Sequence, residues 1–417
     1  MENTGFNNSN EYVEKPVRVL HVFGRVGLGG AESRIMDLYR NIDRNKVQFD
    51  FLVHYSARAT GKKTPTSDEL LNVREEEYFD REIKSLGGNI YVIPRFEGFN
   101  LLSYKKACEK FFKAHEGQWN VVQGHMTSMS AIYLPIAKKY GAKAVASHVR
   151  SAGTDPGIKG LATNILRRPL KNKKTVDYRL ACSNEAGIAV YGQKMMDKGL
   201  VKIIPNAINV EKYIFNSQVR EKIRTENGLD DDNIVIGHVG RFHYAKNHVY
   251  MVKIFKDILD SVSKEDKSKY RLMLLGEGEL MDEIKALVHD LGIDENIMFM
   301  NNRSNICDYY QAMDYFLFPS RYEGLPGTVI EAQAAGLKCL ISDTITEDVD
   351  VTYLVKRMNI ELPTKNWADQ ILSDLEEISQ DVDNRKSESV IEQLREKGFD
   401  SKAQAKTMMD FYLTGKM

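Results

Sequence analysis

The chain has 417 residues, of which 42% are hydrophobic and 28% charged. This composition is ordinary for a folded protein and excludes a disordered tail, a collagen and a small disulfide scaffold. Lys+Arg and Asp+Glu both number 58, so the chain lacks the global positive excess that duplex nucleic acid selects for.

Cys108, Cys182, Cys307 and Cys339 are far apart and form no C-x-x-C motif. Buried, reduced thiols are expected. Residues 1–16 are polar and include Glu2, Glu11 and Glu14, which does not fit the basic-then-apolar order of a signal peptide. The longest uncharged run, Trp119 to Ala137, contains Asn120, Gln123, His125 and Pro135 and is too polar to span a bilayer. The expectation is a cytoplasmic protein, with peripheral contact at the inner face of the cell membrane.

Short β-rich apolar runs alternate with helical patterns. The first set is 17–22, 49–53, 90–93, 121–123, 144–147 and 178–182. Most are apolar on both faces, as strands of a helix-covered parallel sheet are. Residues 33–41 read as the first intervening helix. A second set follows at 234–239, 271–275, 297–300, 315–318 and 338–341. The predicted fold class is therefore α/β, with two tandem Rossmann-like, doubly wound domains facing across a cleft. The joint is placed at Ile203-Ile204-Pro205-Asn206-Ala207-Ile208-Asn209. This gives an extension over 1–16, an amino-terminal domain over 17–205 and a carboxyl-terminal domain over 206–395. A last helix over 396–417 is expected to pack back on the first domain through Ala405, Met408, Met409 and Tyr412. Residues 56–68, rich in Thr, Ser and Lys, read as a loop insertion.

Ligands of open α/β sheets bind at the carboxyl ends of the strands. Three motifs follow strands. Gly27-Leu28-Gly29-Gly30-Ala31-Glu32 precedes a helix, where glycine backbones can approach a phosphate. Glu32 occupies the last glycine position of a dinucleotide fingerprint, and no Lys-Ser/Thr pair completes a P-loop. A tight strand-to-helix turn explains this motif equally well. In the second motif Gly240 ends a strand, then Arg241 and Lys246 stand five residues apart. An arginine fork and a lysine point charge suit a diphosphate. Both side chains are expected to be partly exposed. The third runs from Ser320 to Ala332. Pro326 suits a first helical turn, and Glu323 and Glu331 carry carboxylates. Eight residues of helix rise ~12 Å, too far for a glycosidase pair. A carboxylate can instead hold vicinal hydroxyls.

In this order and spacing, the G-x-G-G, G-R-x(4)-K and E-x(7)-E segments resemble family 4 retaining glycosyltransferases of GT-B fold. The resemblance runs from about Val17 to about Thr352. Val22-Phe23-Gly24, Ala146-Ser147-His148 and Ser342-Asp343 are most similar to exopolysaccharide and capsule-assembly members. The resemblance implies a transferase that moves a sugar from a nucleotide-sugar, UDP by preference, to a saccharide or polyprenyl-diphosphate-linked acceptor. It implies that Arg241 and Lys246 hold the donor diphosphate and Glu331 the ribose. Glu323, with Gly240, Gly324, Leu325, Pro326, Gly327 and Thr328, would contact donor sugar and phosphate. Gly29 and Gly30 match the amino-terminal loop, and His125 a position beside the reacting carbon. Ala207 departs from the family's glycine, and Thr344-Ile345-Thr346-Glu347 replaces its G-G-x-x-E loop.

No metal and no other cofactor are expected, since Arg241 and Lys246 can neutralise the leaving group. The D-x-D strings at Asp230–Asp232, Asp348–Asp350 and Asp381–Asp383 follow no Rossmann strand. His125 and His148 lack a third ligand for zinc. Arg167, Arg168, Lys171, Lys173 and Lys174 form a basic cluster that would suit anionic lipid headgroups, or merely a solvated surface. Three other functions fit the sequence less well. A nucleotide-sugar epimerase or a non-catalytic GT-B subunit is opposed by the full polar set, and a nicotinamide oxidoreductase by Glu32.

Overall fold

The computed structural model describes residues 15–62, 65–150, 158–378 and 385–417. The expectations for residues 1–14 and for Asp381–Asp383 lie outside these. The strands are β1 (Val17–Val22), β2 (Val47–Tyr55), β3 (Ile90–Pro94), β4 (Val121–Gly124), β5 (Ala144–Val149), β6 (Tyr178–Ala181), β7 (Val201–Ile203), β8 (Ile234–Val239), β9 (Tyr270–Leu275), β10 (Ile297–Asn301), β11 (Tyr315–Phe318), β12 (Lys338–Ser342) and β13 (Val355–Met358). They form a seven-stranded sheet of order β3-β2-β1-β4-β5-β6-β7 and a six-stranded sheet of order β10-β9-β8-β11-β12-β13. The pairs from β1 to β5 and from β8 to β13 run parallel.

Each order starts beside its first strand, runs outward one way, then returns to continue on the other side. This is the doubly wound arrangement, with a switch point between β1 and β4 in one sheet and between β8 and β11 in the other. By packing, the chain divides into two compact units. One comprises the chain up to His148, Ala162–Arg179 and Ala405–Met417. The other comprises Val149–Leu161 and Leu180–Gln404.

The apolar runs enter the sheets because both faces of each sheet are covered. In the first unit, Leu20, Val22, Leu52, Val122 and Val145 of the sheet pack with Tyr104, Cys108, Phe111 and Phe112 of helix Leu101–Ala114. Met129, Tyr133 and Leu134 of helix Thr127–Lys139 join the same core. Buried Asp50 on β2 anchors this region. It accepts from Arg18 Nε at 2.7 Å, Asn89 N at 2.9 Å and Trp119 Nε1 at 2.8 Å. In the second unit, helix His248–Ser261 and Trp367 of helix Thr364–Ile378 cover β8, β9 and β11.

β7 and β13 are absent from the sequence expectation. Both are short edge strands, and Val-Lys-Ile and Val-Lys-Arg-Met present no apolar run to read. Part of the 56–68 stretch is ordered by local bonds. Thr66 and Glu69 form a capping box that starts helix Ser67–Val73. The last helix, Ser401–Thr414, joins the first unit from Ala405 onward. Met408, Phe411 and Tyr412 are buried, and Met409 is half-buried. Tyr412 donates to Gln123 Oε1 at 2.8 Å, and Asn120 Nδ2 donates to the Tyr412 carbonyl at 2.7 Å. The four cysteines are free, and all but Cys307 are buried. No helix among the described residues is long and apolar enough to cross a membrane.

Three histidines are built into these cores as neutral groups. Burial lowers His54 from 6.5 to about 4 and His248 to about 3. His238 is lowered well below 6.5 by burial, with nearby His248 and Lys246 adding to the effect. The unfolded chain protonates these rings below pH ~6.5, whereas the folded chain does not. Their contribution to stability is complete above that pH and is lost as pH falls toward the folded values. Each ring steepens the loss by up to ~1.4 kcal/mol per pH unit. Urea unfolding should therefore show stability falling between pH 6.5 and pH 4. A flat profile would mean that these rings are charged or solvated in the fold.

Candidate active site

The second sheet's switch point gathers most of the predicted residues. β8 ends at Val239, and Gly240–Asn247 form its outgoing loop. β11 ends at Phe318, and Pro319–Pro326 form the other. Because β8 and β11 pair directly while their following helices diverge, the two loops flank one crevice. Three contacts fix them to each other. Arg321 N donates to the Ala245 carbonyl at 2.7 Å. Asn247 Nδ2 donates to the Pro319 carbonyl at 3.2 Å. Lys246 Nζ meets Glu323 Oε1 at 2.8 Å.

Local sequence explains the Lys246 loop. His243 Nδ1 accepts from Ala245 N at 3.2 Å and caps a 3₁₀ turn over Tyr244–Lys246. Asn247 then adopts φ 57°, a left-handed conformation that asparagine tolerates, and leads into helix His248–Ser261. The Lys246 ammonium also lies 4.6 Å from the Phe318 ring centroid, a cation–π contact. Gly240 is needed beside it. A Cβ there would stand 2.7 Å from His238 Nε2 and 3.2 Å from the Lys246 methylenes.

Arg241 differs from Lys246. Its side chain is 71% exposed and pairs with Glu279 at 3.0 Å. Lys246 is only 17% exposed and is already matched by a carboxylate. Both cations are thus at least partly exposed, as expected, and Lys246 in addition holds Glu323. Its removal would strand Glu323.

On the β11 side, Pro326 is the residue before helix Gly327–Ala334 rather than its first turn. Gly324, Leu325, Gly327 and Thr328 therefore lie at a helix N-terminus, where backbone N–H groups and the macrodipole favour an anion. Glu331 lies one turn further on. It is 6% exposed and accepts from the Tyr310 hydroxyl at 3.0 Å. Glu323 faces Lys246 and Glu331 faces Tyr310, so the two carboxylates have different partners and do not form an acid–base pair.

The first unit holds the remaining predicted residues. Gly29 caps helix Gly30–Asn41 at the carboxyl end of β1. The Glu32 carboxylate folds back into the space that a Gly29 side chain would need. His125 follows β4 and donates its backbone N–H to the Val22 carbonyl at 3.0 Å. Its ring stacks on Phe23 at 4.2 Å, and its Nε2 lies 3.1 Å from His21 Nδ1. His148 Nδ1 pairs with Gln123 Nε2 at 3.0 Å, in the core rather than at the rim.

Sequence reasoning missed three contributors. Phe318 is read from the sequence only as a strand residue, and Tyr310 is not singled out at all. The third is Gly276-Glu277-Gly278, which follows β9. Gly276 has φ 136°, and a Cβ on it would overlap the Gly240 carbonyl. Phe242 N donates to the Glu277 carbonyl at 3.0 Å, which pins the Arg241 loop from below. A G-x-G directly after an apolar run was a readable signal.

The two D-x-D strings among the described residues are engaged within the chain. Asp230 caps its own turn, Asp348 accepts from Asn184 and Asp350 from Arg357. No group of three or more His, Cys, Asp or Glu able to hold a metal is found among the described residues.

Two doubly wound sheets in one chain, with cations at a switch point, are the arrangement expected of a GT-B fold. The family described as "Glycosyl transferases group 1" matches residues 219–352. "Putative glycosyltransferase EpsF" of Bacillus subtilis (strain 168) is 30% identical over 399 residues, covering 95% of this chain and 96% of the relative. "Capsular polysaccharide biosynthesis glycosyltransferase CapH" of Staphylococcus aureus is 26% identical, over 85% of this chain and 90% of the relative. An Escherichia coli "UDP-Gal:alpha-D-GlcNAc-diphosphoundecaprenol alpha-1,3-galactosyltransferase" is 30% identical over 40% of this chain and 42% of the relative. Among solved structures, Anabaena Alr3699/HepE in complex with UDP and glucose has a TM-score of 0.71 at 16% identity. It covers 95% of this chain and 100% of that one. The chain belongs to the group 1 glycosyltransferases and is an enzyme of that class.

Two predictions follow from the two cations. Arg241→Ala and Lys246→Ala should each lower kcat by about two to three orders of magnitude, ~2.7–4 kcal/mol of transition-state stabilisation. Arg241→Ala should leave the melting temperature unchanged. Lys246→Ala should also cost ~1–3 kcal/mol of stability, because Glu323 loses its partner. Near-wild-type turnover in either variant removes that residue from the site. Separately, Glu279→Gln should tighten UDP binding a few-fold in calorimetry, because it releases Arg241 and removes a competing carboxylate. Weaker binding would mean that Glu279 positions Arg241 for the donor.

Proposed function

We propose that the chain is a family 4 retaining transferase that moves a hexosyl group from a UDP-sugar to a lipid-linked saccharide in exopolysaccharide or capsule assembly. The single observation that carries this reading is the Lys246–Glu323 pair across the β8–β11 crevice, with the Gly327–Ala334 helix end and Glu331 beside it. A nucleoside diphosphate fits that combination. The helix end and cations meet its phosphates, and the Glu331 carboxylate accepts from ribose hydroxyls. The capsular and undecaprenol-linked relatives, and the UDP and glucose of the solved neighbour, support the donor and acceptor classes.

In this reading negative charge grows on the departing diphosphate as the anomeric bond breaks. Arg241 and Lys246 stabilise that charge, and a phosphate oxygen of the leaving group takes the acceptor proton. No metal is required, because the charge is met by side chains and a helix end. Glu323 orients Lys246 and reaches the donor sugar. Gly29, Gly30 and His125 stand at strand ends of the first unit, where its own ligand groups would be met.

The test is a thermal-shift panel with UDP, GDP and ADP. Saturation at a hundred times Kd should stabilise the protein by ~2.7 kcal/mol with UDP and less with the others. The shift should survive EDTA. No shift with any nucleotide would remove the donor site, and loss of the shift in EDTA would remove metal independence.

A further inference from the structure

Packing explains most of the central strand of the first sheet, but not His21. β1 lies between β2 and β4, with His21 opposite Phe51 on one side and Gln123 on the other. The side chain is fully buried among aromatic groups. By ring centroid, Phe49, Phe51 and Tyr412 stand 4.3, 5.9 and 5.8 Å from it. An apolar side chain would suit such a place, whereas a buried imidazole is unfavourable unless its nitrogens are bonded. His54 and His238, buried in the same way, meet the backbone carbonyls of Phe23 and Leu317. His21 reaches a second imidazole instead. Its Nδ1 lies 3.1 Å from His125 Nε2.

Side chains alternate along a strand, so His21 and Gln123 share one face of the sheet with Phe23 and His125, which stand two residues further on. The deeper row is itself held. Gln123 Nε2 pairs with His148 Nδ1 at 3.0 Å, and the Tyr412 hydroxyl of helix Ser401–Thr414 donates to Gln123 Oε1 at 2.8 Å. His125 in the outer row is half-buried and fixed in three ways. Its backbone N–H donates to the Val22 carbonyl, its ring lies parallel to Phe23 with 7° between the planes, and its edge meets His21. The first two contacts are the same whichever way the ring is flipped. Only the third distinguishes the flips, because one of them alone puts Nε2 against His21. A hydrogen bond between two neutral imidazoles also needs one donor and one acceptor, so it settles which His125 nitrogen carries the proton.

We propose that His21 is a positioning residue for sugar transfer, fixing the flip and the tautomer of His125 at the carboxyl end of the first sheet. The inference rests on the reading of His125 as a site residue and extends it to a side chain one row deeper. A ring locked by packing and a buried hydrogen bond needs no rearrangement when the sugar–phosphate bond breaks.

The experiment compares His21→Phe, which keeps an aromatic ring and removes Nδ1, with His21→Asn, whose smaller side chain puts an amide near the same point. UDP release from UDP-glucose and UDP-galactose is measured in the full chain. His21→Phe should lower kcat about ten- to a hundred-fold, with KM and the UDP thermal shift unchanged. His125→Ala should lose at least as much. His21→Asn should recover part of the loss, although it leaves more empty space. If His21 only fills space, the order reverses and His21→Phe is the better enzyme, which overturns the proposal. Wild-type kcat in His21→Phe also overturns it, and leaves the reading of His125 standing if His125→Ala is slow. Wild-type kcat in His125→Ala strikes that reading and the proposal together. A second measurement does not depend on turnover. With isotope-labelled histidine, magnetic resonance should show a coupling between one ring nitrogen of His21 and one of His125 across their hydrogen bond, lost in His21→Phe. Absence of that coupling in wild type overturns the proposal whatever the rates.

Discussion

Everything at the candidate site depends on the reversal of strand order between β8 and β11. The two strands pair, but the chain leaves them toward opposite faces of the sheet. Their outgoing loops part and expose the ends of the sheet between them. Lys246 and Glu323 span that gap and hold the two loops in register. The pair has low exposure on both sides, so its partners lock each other and little reorganisation is left for the moment of reaction.

Around this pair the chain assigns separate work to neighbouring groups. Arg241 is largely exposed and pairs with Glu279 at the surface. Lys246 is fixed by a carboxylate and an aromatic face. His238 and His248 are kept neutral beneath the loop, which avoids a third charge next to Lys246. Gly240 and Gly276 keep the loop close to the sheet because neither position has room for a Cβ. A separate cavity of about 680 Å³ lies elsewhere in the second unit, lined by Phe215, Val390, Ile391 and Arg395. Its inner residue Arg385 donates to the Tyr310, Met313 and Ala335 carbonyls. That role is structural, and burial lowers its pKa to about 9.

Much of this was legible in the residues. Central parallel strands are apolar on both faces, so β1, β8 and β11 could be bounded to the residue. Edge strands are half-exposed and polar, so β7 and β13 left no periodic trace. Arg241, Lys246, Glu323 and Glu331 could be named because chemistry-bearing residues follow strand ends. Their environments could not. Burial of Lys246 arises from Glu323 and Phe318, which lie more than seventy residues away. The basic cluster at 167–174 was visible as charge, but the outward exposure of Phe99, Leu102 and Ile165 was not.

The central claim is that a nucleoside diphosphate binds at the β8–β11 crevice. Hydrogen exchange with and without UDP, read peptide by peptide, tests it most directly. The account predicts slowed exchange over 240–247 and 320–331, and unchanged exchange over helix Glu388–Glu396 beside the separate cavity. Protection confined to that helix, with none at the two loops, would contradict it.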